Sequence, residues 1–433
     1  LPPQIRLRSP APLSTEVRPP GSKSLSNRAL VFAGMAAGRS QLRGMLDAED
    51  TQVMGDCLRR LGVGLEIDDD VWTVEGRGAE LGARETGEAP LFVGTAGTAA
   101  RFLTAALAAD FGAGRPAHVI DGTPRMRERP MATLIHALRD QGARIVTLDR
   151  EDALPFRIEP SVEALRGGEI VLARPTSSQF VSALVIAATR AARPSRIVLR
   201  EGTPARPYVD MTLAVLEAFG GRAGWEAENV LRVEPSPLSA RDYAIEPDAS
   251  AASYFLALAA IHGGTATIPD LGRDSLQGDA HFHTVLERMG ARAEQSASQT
   301  RVTGASLRGV ELDLSDMPDM TLTAAVVALF AEGPTTIRGV AVLRHHESDR
   351  LAAGATELRK LGAEVDERED GLRIVPPAKG PRPGITIQTY DDHRMAMAFA
   401  MVGDVVIDEP ACVGKTFPRY FEELATLGMT VAG

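Results

Sequence analysis

Lysine usage marks the first positions at which chemistry can be argued. The chain carries 47 Lys plus Arg, of which only four are lysine: Lys23, Lys360, Lys379 and Lys415. Where any cation suffices this chain uses arginine. A retained lysine therefore marks a place for a compact ammonium with an adjustable pKa, which a guanidinium cannot supply. Lys360 stands at a helix end and Lys379 in a Pro/Gly loop, and both read as solvated. Lys23 lies in the segment Gly21-Ser-Lys-Ser-Leu-Ser-Asn-Arg28, ahead of the apolar run 29–37. Ser22 or Ser24 would serve there as a helix N-cap. The same hydroxyls, with Lys23 and Arg28, also make an anion site at the helix start.

Lys415 sits in Val413-Gly-Lys-Thr416, after the strand-like Val405–Ile407, an imitation of a nucleotide P-loop. That motif needs a glycine five residues before Gly414, where this chain has Glu409 followed by Pro410. A carboxylate and a proline without an N–H cannot wrap a triphosphate, yet Lys415 still points to an anion. Other segments repeat the theme. Gly94-Thr-Ala-Gly-Thr98, followed by Arg101, is a Gly-rich turn that lets backbone N–H groups approach a ligand closely, or simply a strand-to-helix turn. Asp121-Gly-Thr-Pro-Arg125-Met-Arg-Glu-Arg129 packs three arginines into five residues, for which a solvated basic loop is the plain explanation. Pro175-Thr-Ser-Ser178-Gln179 is another hydroxyl-rich helix start. In the second half, Asp319 opens an apolar helix and reads equally as its cap. Arg344-His-His-Glu347-Ser-Asp349-Arg350 reads as a surface ion-pair stripe at a helix start. Thr389-Tyr-Asp-Asp392-His393-Arg394 begins a further helix. The pairs His345/His346 and His281/His283 lack the i,i+4 spacing of a zinc-binding helix face, and no metal is expected.

These segments need elements to hold them, and the chain supplies a repeat. Six times an amphipathic helix ends in glycine and runs into a strand-like segment, at Gly62, Gly142, Gly220, Gly290, Gly362 and Gly428. Glycine there supplies the left-handed cap that reverses the chain. Segments such as 363–365 and 372–375 then read as a hairpin. A period of about 65 to 80 residues is too long for a solenoid and suits a βαβ-plus-hairpin module. Six modules group as three plus three. The Pro-rich stretch 234–237 and the Pro19-Pro20-Gly21 turn are the candidate linkers, which makes 21–239 one domain and 1–20 with 240–433 the other. One continuous α/β sheet is the alternative.

Composition sets the frame for this reading. The 433 residues are 44% hydrophobic and 24% charged, ordinary for a soluble globular chain, with no stretch long enough to span a membrane. Net charge is −10, which argues against a nucleic-acid binder relying on overall positive charge. The first twenty residues lack the apolar core of a signal peptide. Two cysteines, Cys57 and Cys412, make no disulfide framework, and a reducing cytoplasm is expected.

From the GSKSLSNRAL segment to the GKTFPRYF segment, these motifs resemble in order those of the 5-enolpyruvylshikimate-3-phosphate synthase family. The resemblance implies a mixed α/β (α+β) fold of six βαβαββ modules in two domains that close over their substrates, with no cofactor. It implies transfer of the enolpyruvyl group of phosphoenolpyruvate to the 5-hydroxyl of shikimate 3-phosphate, with release of phosphate. Lys23, Arg125 and Lys415 would hold the phosphate of phosphoenolpyruvate, and Arg350 and Arg394 its carboxylate. Gly97 and Gln179 would line the same pocket. Lys23, Ser24, Arg28, Ser177, Ser178, Gln179, Arg206, Tyr208, Asp319 and His346 would surround shikimate 3-phosphate. Asp319 would take the hydroxyl proton, while Glu347, with Lys415 and Lys23, would manage protons at the methylene carbon. A monomer acting on small molecules, with neither nucleic acid nor membrane as partner, is expected.

Several positions depart from the family pattern. Thr95 stands where Asn is usual, Phe102 where Pro is frequent, Ala205 where Ser binds the shikimate phosphate, and Val342 where Asn is common. His346 replaces a lysine. Weaker substrate binding, or compensation elsewhere, is expected, with a rise in affinity on the acid side if His346 protonates. The related transferase acting on UDP-N-acetylglucosamine is the rival enzyme, but it lacks a GSKS-type start and carries a reactive loop cysteine. A six-module clamp around nucleic acid is the non-enzyme rival, and it would spread basic residues along helix faces rather than crowd them at helix starts. The enzyme reading requires Lys23 and Lys415 to meet in one cleft between the domains.

Overall fold

In the computed structural model, residues 1–84, Gly87 and 89–432 are described. They form two compact units, one of Leu1–Pro20 with Glu246–Gly433, the other of Gly21–Ile245. Among the described residues there are six four-stranded sheets, three in each unit.

One module shows the pattern. Strands Gly168–Leu172 and Ser195–Leu199 are parallel, as a crossover through the helix Ser178–Ala188 requires. The helix Arg206–Ala218 then leads into an antiparallel hairpin, Arg222–Ala227 and Val230–Glu234, whose second strand pairs with Ser195–Leu199. The order β-α-β-α-β-β recurs from Glu311–Asp313 through the hairpin Glu364–Arg368 and Gly371–Val375. Two sheets are completed from far along the chain. Gln4–Arg8 lies between Val405–Asp408 and Thr430–Ala432, antiparallel to both. Leu13–Glu16 runs parallel to Gly264–Pro269. In the other unit Tyr243–Ala244 pairs with Leu42 and Arg43. That pairing carries the unit boundary past the Pro-rich 234–237 stretch.

The two helices of a module differ in composition, and that difference sorts them. The first is largely apolar and enclosed, as in Thr321–Ala328 (TLTAAVVA), where every residue is buried. Each enclosed Leu, Val or Phe contributes about 1.5–3 kcal/mol relative to exposure. The second helix is amphipathic, as in Glu49–Arg60, which buries Met54, Cys57 and Leu58 and turns its charges outward, all but Asp50, which is buried. It is this second helix that ends in the six glycines. All six have positive φ, from 83° at Gly428 to 115° at Gly290. All six make the same pair of bonds: Gly62 N–H donates to Arg59 O and Val63 N–H to Leu58 O, and likewise around Gly142, Gly220, Gly290, Gly362 and Gly428. This is the Schellman geometry, in which a Cβ would be strained.

Candidate active site

In the unit built from 1–20 and 246–433, charged side chains gather at the starts of three helices. Arg350 is the first residue of the helix Arg350–Lys360, which Asp349 caps by accepting from Leu351 N and Ala352 N. Its side chain is only 2% exposed. Its guanidinium donates from Nε to Asp392 Oδ2 (2.8 Å), from Nη2 to Asp392 Oδ1 (3.1 Å) and Glu347 Oε2 (2.9 Å), and from Nη1 to Asp319 Oδ1 (2.9 Å). Burial alone would depress this guanidinium. Asp392, Glu347 and Asp319 more than reverse that, and its pKa is raised above the ordinary arginine value.

Asp319 does not cap the helix that follows it. It lies in the 3-10 turn Pro318–Met320, and the helix from Thr321 has no side-chain cap. Its second oxygen accepts instead from Arg394 Nη2 at 2.7 Å. Arg394 is placed by the helix His393–Ala400, whose N-cap Asp392 accepts from Arg394 N. It reaches Tyr254 Oη and Ser250 Oγ as well, both at 3.3 Å. Lys415 closes the 3-10 turn Pro410–Lys415, is buried, and holds its ammonium 4.0 Å from Glu347 Oε1. The alternating-charge segment before Arg350 therefore splits in two. Arg344 makes the surface pair, with Asp349 and Glu367 at 3.0 Å each, while Glu347 and Arg350 turn inward. His346 Nδ1 accepts from Arg350 Nη1 at 3.0 Å and lies 3.8 Å from Asp319. A proton on that nitrogen would set it against Arg350 and draw it toward Asp319.

The unit Gly21–Ile245 gathers a second set. Ser22, rather than Ser24, caps the helix Lys23–Met35, accepting from Leu25 N. Ser24 is half-buried in the first turn. Lys23 Nζ stands 3.4 Å from the buried carboxylate of Asp50. Arg28 is buried, lies over the Phe102 ring and ties two helices together. It donates to Ser24 O, Thr212 Oγ1 and Tyr208 O, and burial pushes its pKa down to about 10. Three of its five N–H groups are thus engaged internally.

Gly97 opens the helix Gly97–Ala108. A Cβ at that position would press into Arg101 Nη1 and lie 2.8 Å from Arg129 Nη1. Arg101 donates to Gln179 Oε1 at 2.7 Å and Arg129 to Thr95 O at 3.0 Å. Ser177 caps the helix Ser178–Ala188, and Ser178 is buried in its first turn. The three-arginine loop separates into three environments. Arg125 pairs with Glu128 at the surface, Arg127 grips Asp121, and Arg129 is buried. Arg206 stacks on the Trp225 ring at 3.9 Å and donates to Glu228 O, while Tyr208 is half-buried.

Sequence reasoning gave no role to Asp50, Asp392, Arg101, Ser250 or Tyr254. Asp50 looks like any first-turn acid and Asp392 like any cap. Their function as partners of Lys23 and Arg350 appears only with the fold. Lys360 is also corrected. Its ammonium is 2.8 Å from both oxygens of the fully buried Glu357, so it is an ion-pair partner rather than a solvated end. Lys379 is exposed, as read.

A family model described as EPSP synthase (3-phosphoshikimate 1-carboxyvinyltransferase) matches residues 7–424. The chain belongs to the EPSP synthase family. It is 43% identical over 431 residues to the 3-phosphoshikimate 1-carboxyvinyltransferase of Serratia proteamaculans, covering 98% of each chain. It is 44% identical over 426 residues to the enzyme of that name in Edwardsiella ictaluri, covering 96% of each. The solved EPSP synthase of Acinetobacter baumannii superposes with a TM-score of 0.81 at 25% identity, over 99% of this chain and 100% of that one. As an EPSP synthase the chain is a transferase, built on the six-module fold.

Among its departures from the EPSP synthase pattern, Phe102 is filled space beneath Arg28, and Ala205 holds a left-handed φ of 53° at a helix start. That conformation costs a non-glycine residue about 1 kcal/mol. Val342 is half-buried in the 3-10 turn Ala341–His345. Among the described residues no helix is long and apolar enough to cross a membrane.

Proposed function

We propose that this chain transfers the enolpyruvyl group of phosphoenolpyruvate to the 5-hydroxyl of shikimate 3-phosphate, releasing phosphate, and that both charged clusters act on this one pair of substrates. The observation that carries the reading is the contact of half-buried Asp319 with the buried Arg350 and Arg394, beside the Glu347–Lys415 pair. It combines two guanidinium forks suited to a carboxylate with carboxylates and an ammonium suited to moving protons.

The reaction adds an alcohol oxygen to C2 of phosphoenolpyruvate while C3 gains a proton. It then expels phosphate as C3 loses a proton again. Asp319, held between its two arginines, accepts the hydroxyl proton. Glu347, with Lys415 beside it, delivers the proton to C3 and takes one back. Arg350 and Arg394 hold the substrate carboxylate, exchanging part of their contact with Asp319 for it. Lys23, Arg125 and Lys415 neutralise the transferring phosphate. Gly97 makes room in that pocket for the Arg101 and Arg129 guanidiniums, and Gln179 lines it through its bond with Arg101. Ser24, Arg28, Ser177, Ser178, Gln179, Tyr208 and His346 surround shikimate 3-phosphate, with Arg206 at the margin because its guanidinium is stacked on Trp225. Both substrates are multiply anionic and would otherwise repel each other, which is why so many cations are required.

The test is phosphate release from phosphoenolpyruvate with shikimate 3-phosphate as acceptor, set beside the same assay with UDP-N-acetylglucosamine. Release is expected with the first acceptor and not the second. Release with UDP-N-acetylglucosamine alone, or with neither, overturns the proposal.

A further inference from the structure

A buried carboxylate that takes no part in the proposed chemistry braces the loop that delivers Arg394. Glu357 is 0% exposed, two turns along the helix Arg350–Lys360 from Arg350. All of its acceptor capacity is used. Oε1 accepts from Lys360 Nζ (2.8 Å) and Tyr390 Oη (2.8 Å), and Oε2 from Lys360 Nζ (2.8 Å) and Gln388 N (3.2 Å). An ionised carboxylate offers about four such positions, and burial is tolerated only when they are filled.

The residues it grips need gripping. Tyr390 and Asp391 are consecutive non-glycine residues in the left-handed region, with φ of 55° and 53°. Such backbone persists only where its surroundings over-determine it. The turn ends at Asp392, which caps the Arg394 helix and accepts from Arg350. The loop 388–392 is therefore fastened at both ends to one helix, to Arg350 at its start and to Glu357 about 10 Å further along its axis. Thr389, between the two fastenings, donates to Glu409 O, at the left-handed residue that opens the Lys415 turn. Burial and the Glu357 carboxylate push the Tyr390 phenol up to about 12, so it remains a donor at physiological pH.

We propose that Glu357, neutralised by Lys360, is a positioning residue that sets Arg394 through its grip on Tyr390 and Gln388. The proposal rests on the reading of Arg394 as a clamp for the carboxylate of phosphoenolpyruvate. Tyr390→Phe removes one hydroxyl from a side chain 42% exposed, and the packed remainder is untouched. Glu357→Gln keeps the shape and removes two acceptor positions. Both variants, with Arg394→Lys, are assayed at steady state with both substrates varied, and their melting temperatures are measured alongside.

The expected result is a rise of about tenfold in KM for phosphoenolpyruvate in Tyr390→Phe and Glu357→Gln, as for a clamp displaced by a fraction of an ångström. KM for shikimate 3-phosphate should change less than twofold. The double variant should be no worse than Glu357→Gln alone. A lowered melting temperature with both KM values unchanged overturns the proposal and leaves Glu357 a purely structural residue. If Glu357→Gln does not fold, Tyr390→Phe alone decides by the same criterion. If Arg394→Lys leaves KM for phosphoenolpyruvate unchanged, the clamp reading itself fails. If only Arg394→Lys raises it, the clamp stands and the brace falls.

Discussion

Arg394 Nη2 lies 2.7 Å from Asp319 Oδ2, joining helix starts from two modules. The same carboxylate accepts from Arg350 at 2.9 Å. An internal anion thus occupies both of the forks proposed to hold a substrate carboxylate. In Asp319→Ala that occupant and the base disappear together. Turnover should fall by about 10²–10⁴-fold, the usual effect of removing one positioned proton acceptor, while KM for phosphoenolpyruvate does not rise. A KM that rises in step with the lost turnover would show Asp319 to be a binding partner, not a rival.

Glu347 and Lys415 form the other pair proposed to move protons, 4.0 Å apart, with Lys415 buried and Glu347 half-buried. Glu347→Gln keeps the hydrogen bond to Arg350 in reach but loses the exchangeable carboxyl proton. Lys415→Met keeps length and loses charge. Each should lower turnover by about 10²–10⁴-fold with the far-UV spectrum intact. Near-normal turnover in either removes that residue from the catalytic set.

Gly97 is a question of space. An added methyl meets the guanidinium ends of Arg101 and Arg129, flexible atoms but enclosed ones. Gly97→Ala should therefore fold, with Arg101 displaced from Gln179. KM for phosphoenolpyruvate should rise several-fold and kcat change less. Kinetics identical to the parent chain would mean the two arginines move aside without consequence.

Neither cysteine is set up as a nucleophile. Burial pushes the Cys57 and Cys412 thiols up to about 12, so almost no thiolate exists near neutrality. A disulfide reagent at pH 8 should label both only on unfolding. Rapid stoichiometric labelling of the folded protein, with loss of activity, would revive the rival enzyme with its reactive cysteine.

His262 links stability to acid. Burial depresses its imidazole, against the opposing pull of its bond to Met401 O and of Asp404. A folded pKa below the unfolded value of about 6.5 means its contribution is present above that pH and is lost as pH falls through the folded value. His262→Gln should lose less melting temperature than the parent between pH 7 and pH 5. Parallel pH curves for the two proteins would locate the acid sensitivity elsewhere.

The module count and the helix ends were legible because glycine at a helix C-terminus has one dominant physical cause. All six positions take the expected backbone. The candidate residues in the segments around Lys23, Gly97, Ser177, Asp319, Arg350, Arg394 and Lys415 stood out because hydroxyls, glycine and cations crowd helix starts there. Their partners were not legible. Asp50 and Asp392 occupy positions where an acid stabilises any helix, so their local and long-range tasks share one sequence signal. Lys360 was misread for a related reason. Three residues after Glu357 it resembles a solvent-facing ion pair, and nothing local reveals that the carboxylate is enclosed. A first helix such as Thr321–Ala328, apolar on every side, has no periodicity from which a face could be read.

The strand Gln4–Arg8 has consequences for how the molecule is made. Its sheet neighbours are Val405–Asp408 and Thr430–Ala432, so this strand leaves the ribosome long before the strands it pairs with. Gly21–Ile245 has every strand of its own sheets in hand long before then and can condense while synthesis continues. The flanking unit remains a pair of unjoined segments until Val405–Asp408 has been translated. A premature stop shortly before residue 405 would therefore leave one half foldable and the other deprived of a whole sheet.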